Sequence, residues 1–400
     1  MMNSFDSVRF LLVSWTIPPT ASGSSVVVRN LLRWFTPAEA VMLGQIPFAG
    51  RIDLQDIKNH HRILIPSLAI HWRIKPWIEP FYVVPAAVLA GCLAVRRYHL
   101  QAVVAIFPNV SFLIAGYLIA ALMGLPFFPY FHNLYVETRK SKIEIYLAKI
   151  IQKQILKRAS SIFSMSNGMA SYFASQYQQL TISLLHPLNE LIPVINKPPK
   201  PMAPFKIGVS GNINLGSERA LKNVIKAIGG NSSFQLILHA PVSAVDISER
   251  LGLWADNIVV LDEKKADGLV ESLRKCDVLI IGLYNDWGPA YERDCRIQFP
   301  TRTLEMLAAG KPILVLCPAH YFLAEFFITK KCGLVLDSEN PVKIRSVIHH
   351  LCLDNDARTS YVSNSLHAAR DFDGSEVASK LRQTLMTAIK DSQSFKNTLS

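Results

Sequence analysis

The fold of this chain is decided by residues 298–315, QFPTRTLEMLAAGKPILV. Phe299 precedes a proline and is therefore biased toward extended geometry. We predict that Thr301 caps the short helix that follows, and that the amides at the start of this helix are available to bind an anion. Gly310 suits the left-handed position after a helix, and the apolar residues 313–316 predict the strand that follows. The segment therefore predicts a helix–turn–strand unit of an α/β protein.

Two charged side chains make this unit a candidate ligand site. Arg302 is predicted in the first helical turn, beside the open amides, and Glu305 one turn further along among apolar neighbours. Amides and a guanidinium suit phosphates, whereas a carboxylate suits ribose hydroxyls. The pattern fits a nucleoside-diphosphate ligand, although it also fits an ordinary helix–strand corner that binds nothing.

Apolar strands and helices alternate along the whole chain, which predicts parallel sheets of βαβ type. The 400 residues are too many for one core, and residues 193–204, with five prolines, make the best linker. We predict two Rossmann-like domains that face each other across a cleft. The predicted boundaries are a first domain over 1–191, a linker over 192–204, a second domain over 205–374, and a C-terminal helix and tail over 375–400.

The positive charge of the chain lies almost entirely in its first half. Residues 1–200 hold 19 Lys and Arg against 8 Asp and Glu, whereas residues 201–400 hold 23 against 22. A basic half suits nucleic acid, an anionic membrane or an anionic substrate, and the lack of any nucleic-acid-binding motif disfavours the first. Six scattered cysteines without CxxC spacing predict a reducing compartment and no zinc site.

Three segments of the first half raise the question of lipid contact. Residues 81–95 and 110–131 carry no charge, and the second run, with Gly124 and Pro126, predicts a buried helix, a turn and a strand rather than a membrane span. Residues 139–158 hold seven cations and one anion at helical spacing. This helix has either a solvated basic face or a contact with anionic lipid headgroups.

Four motifs in order along the chain resemble nucleotide-sugar glycosyltransferases of the GT-B fold, closest to glycosyltransferase family 4. They are SWTIPP (14–19) with SGSSVVVRNL (22–31), the strand end FHNL (131–134), LHPLN (185–189) before the linker, and the 299–315 segment. The similarity runs from Val8 to about Leu385. It implies that the second domain binds a nucleoside-diphosphate sugar and that the first binds the acceptor.

The resemblance also assigns roles to residues on the donor side. Glu305 would bind the ribose, while Arg302 and the amides of Thr301, Thr303 and Arg302 itself would hold the diphosphate. The resemblance implies that no metal or other cofactor is needed, so that protein cations and amides neutralise the leaving diphosphate. It also implies retention at the anomeric carbon.

In the first domain, the resemblance places Gly23 and Ser24 close to the phosphates, where a glycine permits close approach of the backbone. His132 would face the transferred sugar as the catalytic residue. His186, by contrast, is interpreted as structural.

The chain departs from the family pattern at several positions. The paired glutamates of the family would need a carboxylate at Ile297, for which Glu292 or Asp294 is a substitute. Asn212 and Ser217 stand where many relatives have Arg and Lys, and Asn133 where they have Asp. Donor phosphate binding is therefore expected to depend on Arg302, with Lys311 as a second cation.

We therefore expect a cytoplasmic glycosyltransferase, peripheral on the inner face of the membrane, that acts on a glycan or lipid-linked acceptor in cell-surface polysaccharide biosynthesis. Two alternatives remain open. One is a GT-B-fold nucleotide-sugar epimerase. The other is a catalytically degenerate partner subunit, which the substitutions at Ile297, Asn133 and Asn212 favour.

Overall fold

Each half of the chain builds one parallel sheet covered by helices. The computed structural model describes residues 8–18, 20, 23–45, 59–67, 75–190, 192–195, 198–211, 213, 215–240, 242–262 and 268–399. Two compact units divide the chain at Pro187/Leu188 and again at Asp373/Gly374.

The central strands of the first unit are short, mostly apolar runs that are buried on both faces, as is usual in parallel sheets, whereas the two edge strands are only partly buried. They are β1 Phe10–Thr16, β2 Ala40–Gln45, β3 Arg62–Leu64, β4 Ala102–Phe107, β5 Phe127–Phe131, β6 Ile162–Ser164 and β7 Thr181–Ser183. The helices that connect them are α1 Gly23–Leu32, α2 Lys75–Tyr98, α3 Val110–Met123, α4 Lys142–Arg158 and α5 Asn167–Tyr177. The sheet order is β3-β2-β1-β4-β5-β6-β7, with every pair parallel.

The helices of this unit form two layers, one on each face of the sheet, and the direction in which the chain moves from strand to strand decides the face. The steps β3 to β4, β4 to β5 and β5 to β6 run one way along the sheet, and right-handed crossovers place α2, α3 and α4 on one face. The step β1 to β2 runs the other way, so α1 covers the opposite face. The predicted helix, turn and strand over 110–131 are confirmed, since Gly124 ends α3 in the left-handed conformation and β5 follows.

The second unit repeats this plan with a shorter sheet. Its strands are β8 Phe205–Ser210, β9 Phe234–Ala240, β10 Ile258–Asp262, β11 Val278–Gly282, β12 Ile313–Leu316 and β13 Leu334–Leu336. Its helices are α6 Leu215–Ile228, α7 Ala244–Leu251, α8 Leu269–Leu273, α9 Glu292–Ile297, α10 Arg302–Ala309, α11 Phe322–Lys330, α12 Pro341–Leu353 and α13 Asn355–Ala369. The order β10-β9-β8-β11-β12-β13 is parallel throughout.

The last helix, α14 Gly374–Leu399, belongs to the first unit. Its apolar residues Val377, Leu381 and Leu385 share a core with Val28 and Leu31 of α1. The sequence prediction treated residues 375–400 as a separate helix and tail, whereas the structure uses them to cover one face of the first sheet. The predicted proline-rich linker is also part of a unit, in this case the second one, where the Pro199 carbonyl accepts a hydrogen bond from Arg358.

Candidate functional site

The centre of the second sheet is a topological switch point. β8 continues through α6 to β9 on one side, whereas β11 continues through α9 and α10 to β12 on the other side. Ligands of open α/β sheets bind beyond the carboxyl ends of the two strands at such a point. In this unit those ends are Ser210 and Gly282.

Arg302 joins these two strand ends. Its guanidinium donates to the Gly282 carbonyl at 2.9 Å and to the Ser210 carbonyl at 3.4 Å. Burial lowers the pKa of Arg302 to about 10, and the negative charge of Glu305 acts in the opposite direction. Arg302 therefore remains cationic at neutral pH, and Glu305, one helical turn further along α10, lies close enough to influence it.

The close approach of Arg302 depends on a glycine. Gly211 directly follows β8 and has a φ of +98°, a conformation that side chains other than glycine rarely adopt. A Cβ atom at this position would lie 3.0 Å from Arg302 Cδ. Gly211 is thus required both by its backbone angle and by its neighbour. Asn212, which follows it, lies outside the described residues.

The predicted cap at Thr301 is wrong. Thr301 has helical angles, with φ −56° and ψ −36°, and its side chain makes no capping hydrogen bond. The turn instead begins one residue earlier, because the amide of Thr303 donates to the Pro300 carbonyl at 2.9 Å. The Thr303 side chain is fully buried. Of the three amides that were predicted to hold the diphosphate, that of Thr303 is therefore already engaged within the turn.

Lys311 lies at the opposite edge of the sheet from Arg302. It precedes β12, and its charge interacts with Asp277, which precedes β11, so both lie at the amino ends of their strands. Burial lowers the pKa of Lys311, and the attraction to Asp277 opposes this shift. The expectation that Lys311 helps to bind donor phosphate is therefore wrong.

The two substitutes considered for the missing carboxylate at Ile297 differ in their surroundings. Asp294 is 2% exposed and accepts a hydrogen bond of 2.6 Å from the side-chain amide of Gln298. Glu292 has a side chain that is 43% exposed. It accepts hydrogen bonds from the Tyr321 hydroxyl at 3.2 Å and from Asn285 Nδ2 at 3.0 Å. Glu292 is thus oriented and accessible, whereas Asp294 is enclosed.

Sequence reasoning missed a second charged cluster beside this edge. Arg219, in the first turns of α6, pairs with Asp286 and Glu339 and lies over the Tyr284 ring. The Tyr284 amide also donates to the Gly216 carbonyl at 2.8 Å. These contacts fix the segment after β8 against the segment after β11. The only sequence signal was the glycine-containing segment 211–217 that follows a strand.

In the first unit, the structure brings together two residues that the resemblance selected separately. His132 directly follows β5, and its Nδ1 lies 3.0 Å from the Ser24 hydroxyl in the first turn of α1. Within the described residues, no group hydrogen-bonds to its buried Nε2. Gly23 is exposed, and a Cβ atom there would meet no atom within 4 Å.

Both histidines of this region are buried and neutral. Burial lowers the pKa of His132 to about 3, with a further contribution from His186. The pKa of His186 is lowered to about 3 by burial and by Arg29. Asn30 Nδ2 lies 3.2 Å from His186 Nε2, which indicates that this nitrogen accepts the hydrogen bond. His186 is therefore held against α1 by Asn30, and its charge would act on that of His132.

Within the described ranges, no three His, Cys, Asp or Glu side chains are grouped so that they could hold a metal ion. The six cysteines have free thiols.

No protein-family model matches this sequence, and no curated protein matches it. Among solved structures, HepE from Anabaena in complex with UDP is 15% identical, with a TM-score of 0.68 over 95% of this chain and 100% of that chain. Sucrose-phosphate synthase from Thermosynechococcus elongatus is 13% identical, with a TM-score of 0.66 over 96% of this chain and 100% of that one. A putative UDP-N-acetylglucosamine 2-epimerase from Listeria monocytogenes is 11% identical, with a TM-score of 0.59 over 96% of this chain and 97% of that one.

These similarities extend over nearly the whole chain and confirm the predicted fold class. The chain consists of two parallel-sheet α/β domains of GT-B type. Closer membership in glycosyltransferase family 4 stays a prediction.

Proposed function

We propose that this protein is a glycosyltransferase that moves a sugar from a nucleoside diphosphate to an acceptor. The observation that carries this proposal is the position of Arg302 at the switch point of the second sheet, with the carboxylate of Glu305 one helical turn further along α10 and close enough to act on its charge. The fold supports it, because HepE and sucrose-phosphate synthase share this fold and HepE is in complex with UDP.

In this proposal the second unit binds the donor. The Arg302 guanidinium and the amides of Thr301 and Arg302 neutralise the diphosphate, while the Glu305 carboxylate accepts hydrogen bonds from the ribose. Fixed positive groups stabilise a leaving diphosphate most where water is excluded, and Arg302 is only partly exposed. No metal is assigned to this step. The expected stereochemical outcome is retention.

In the first unit, we assign His132 to the transferred sugar. A neutral imidazole whose Nδ1 is held by Ser24 has Nε2 available for a sugar hydroxyl. Gly23 and Ser24 lie at the start of α1, where a helix N-terminus favours a phosphate.

The acceptor is proposed to be a glycan or a lipid-linked sugar, at the inner face of the membrane and within cell-surface polysaccharide synthesis. The net positive charge of residues 1–200 supports this location.

Replacing Glu305 by glutamine is expected to weaken donor binding about tenfold to a hundredfold. The amide keeps the shape of the side chain but loses a charged hydrogen-bond acceptor, which typically contributes about 1.5–3 kcal/mol. Calorimetric titration with UDP- and GDP-sugars measures the change. Glu325→Gln, at an exposed carboxylate of the same unit, is the matched control and should bind as wild type. An unchanged dissociation constant in Glu305→Gln would remove the ribose role.

Glu292, rather than Asp294, is proposed to replace the family carboxylate absent at Ile297. Glu292→Gln should lower the rate of sugar transfer about tenfold or more. The reason is that a neutral amide stabilises the positive charge that develops on the transferred sugar in the transition state less well than a carboxylate does. Tyr321→Phe, which removes one hydrogen bond to Glu292, should produce a smaller loss in the same assay. Equal rates in Glu292→Gln and wild type would exclude Glu292.

The epimerase alternative is supported by one similar structure, the putative UDP-N-acetylglucosamine 2-epimerase. Incubation of the protein with UDP-N-acetylglucosamine, followed by separation of the epimers, tests it directly. Donor binding with epimerisation and without transfer would favour the epimerase. A protein that binds no nucleotide sugar would be the degenerate partner subunit.

A further inference from the structure

Helix α2 has an apolar stripe that the fold does not bury. Residues Ile78–Tyr98 have a mean hydropathy of 1.8 and are long and apolar enough to cross a membrane, by length and composition alone. Only 28% of the apolar window is buried. Phe81 is 84% exposed and Leu89 65%, and with Ile78 and Leu93 they recur at helical spacing along one side.

The other side of α2 packs against the unit. Val83, Ala87 and Val95 are buried, and a Cβ atom at Gly91 would lie 2.3 Å from Ile119 of α3. Because α2 links two strands of one sheet and rests on α3 by this face, it lies along the unit and presents the apolar stripe outward.

Helix α4 repeats this arrangement on the same layer. Its buried side contains Ala148, Gln152 and Ile155. Directly opposite, Ile143 is 71% exposed and Tyr146 66%, and Leu147 and Ile150 are exposed beside them. A helix needs one apolar face to fold against its domain, so the second face has no role in the core. Leu122, near the end of the intervening α3, is also exposed.

Lysine side chains border one edge of the exposed apolar stripe of α4. Lys142, Lys149, Lys153 and Lys157 are all exposed, and helical spacing places them along one edge of the stripe. The only carboxylate of this helix, Glu144, is engaged in a capping box with Ser141. The hydrogen bond from the Ser141 amide is the main reason why the pKa of Glu144 lies below its ordinary value. The lysine edge is therefore not balanced by an acid on its own helix.

We propose that α2, α3 and α4 form a lipid-facing layer that inserts its apolar stripes into the boundary of an anionic phospholipid bilayer, with the α4 lysines on the headgroups. Such helices lie in the plane of the interface, and apolar area and charge both contribute to their binding. A second copy of the chain fits this layer less well, since a two-fold contact would bring the same lysine edges together. The inference deepens the membrane location proposed above, but it depends only on surface residues.

Two triple variants separate insertion from charge attraction. The apolar variant is Ile143→Ser/Leu147→Ser/Ile150→Ser, and the charge variant is Lys149→Gln/Lys153→Gln/Lys157→Gln. Each is compared with wild type by flotation with vesicles of phosphatidylglycerol and phosphatidylcholine in equal parts, at low and high salt. Vesicles of phosphatidylcholine alone give the baseline.

Wild type should bind the anionic vesicles at low salt and keep part of this binding at high salt. The apolar variant should bind at least about tenfold more weakly at both salt concentrations, because it loses burial of three large side chains. The charge variant should bind about a hundredfold more weakly at low salt, at roughly fivefold for each lysine, and should resemble wild type at high salt.

Matched controls lie on the second unit. Val245→Ser/Ile328→Ser/Val342→Ser removes exposed apolar residues, and Lys226→Gln/Lys343→Gln removes exposed lysines. Both should bind vesicles as wild type. Donor titration without lipid, together with thermal unfolding, verifies the fold of every variant and keeps a failure of the catalytic proposal separate from a failure of this one.

Two results would overturn the lipid-facing layer. One is equal vesicle binding by wild type and the apolar variant. The other is a wild-type dimer in sedimentation that the apolar variant converts to a monomer, which would assign the surface to a second copy.

Discussion

At about pH 5.5 the first unit should be about 3 kcal/mol less stable than at about pH 7.5 because of His132 and His186. Both imidazoles are buried, and burial lowers each pKa from 6.5 to about 3. Below 6.5 the unfolded chain therefore binds two protons that the folded unit does not bind until the pH approaches 3. The stability that these two neutral histidines contribute is fully present well above pH 6.5 and is lost progressively as the pH falls from about 6.5 towards 3.

Urea unfolding at several pH values measures the effect. One pH unit below the unfolded pKa, each histidine contributes about 1.4 kcal/mol to the loss. His132→Gln/His186→Gln should have a flatter profile than wild type across this range, and single variants provide the same comparison if the double variant does not fold. His367→Gln, at an exposed histidine, should follow the wild-type profile. A double variant as sensitive to acid as wild type would show that these histidines do not carry the effect.

The alternation of elements was predictable because parallel strands are continuous apolar runs. Residues 103–107 and 278–282 stand out in this way, and the structure places β4 and β11 there. β2 was missed because its residues 40–45 follow a turn-rich stretch and include Gly44. The return of α14 to the first unit was missed for a different reason, since an amphipathic pattern does not indicate which sheet a helix will cover.

The position of Arg302 at the carboxyl edge of the second sheet was predictable from the sequence, whereas the position of Lys311 was not. Sequence proximity suggested that Arg302, Glu305 and Lys311 would all act on one ligand. In a βαβ unit, however, the helix brings the chain back to the amino edge of the sheet before the next strand begins. Arg302, at the start of α10, therefore lies at the carboxyl edge, whereas Lys311 lies at the other one. The contact between His132 and Ser24, 108 residues apart, required the three-dimensional structure.

Replacing Arg302 by methionine should destabilise the second unit by about 2–5 kcal/mol and abolish detectable donor binding. The guanidinium satisfies the terminal carbonyls of β8 and β11, and each acceptor left buried without a partner costs about 1–3 kcal/mol. Lysine at this position keeps the charge but lacks the planar fork that reaches two acceptors, so Arg302→Lys should fall between wild type and methionine. Urea unfolding and calorimetric donor titration measure the two effects separately.

The neighbouring glycine provides an independent test of the same contact. Gly211→Ala places a Cβ 3.0 Å from Arg302 Cδ and also strains a backbone with φ +98°, so it should cost about 1–3 kcal/mol. Gly23→Ala, where a Cβ meets no atom within 4 Å, is the matched control for glycine removal and should leave stability close to wild type. If Arg302→Met unfolded like wild type, the guanidinium would not be the link between the two strand ends. If only donor binding were lost, Arg302 would serve the ligand and not the sheet, and the stability cost of Gly211→Ala would then come from its own backbone strain alone.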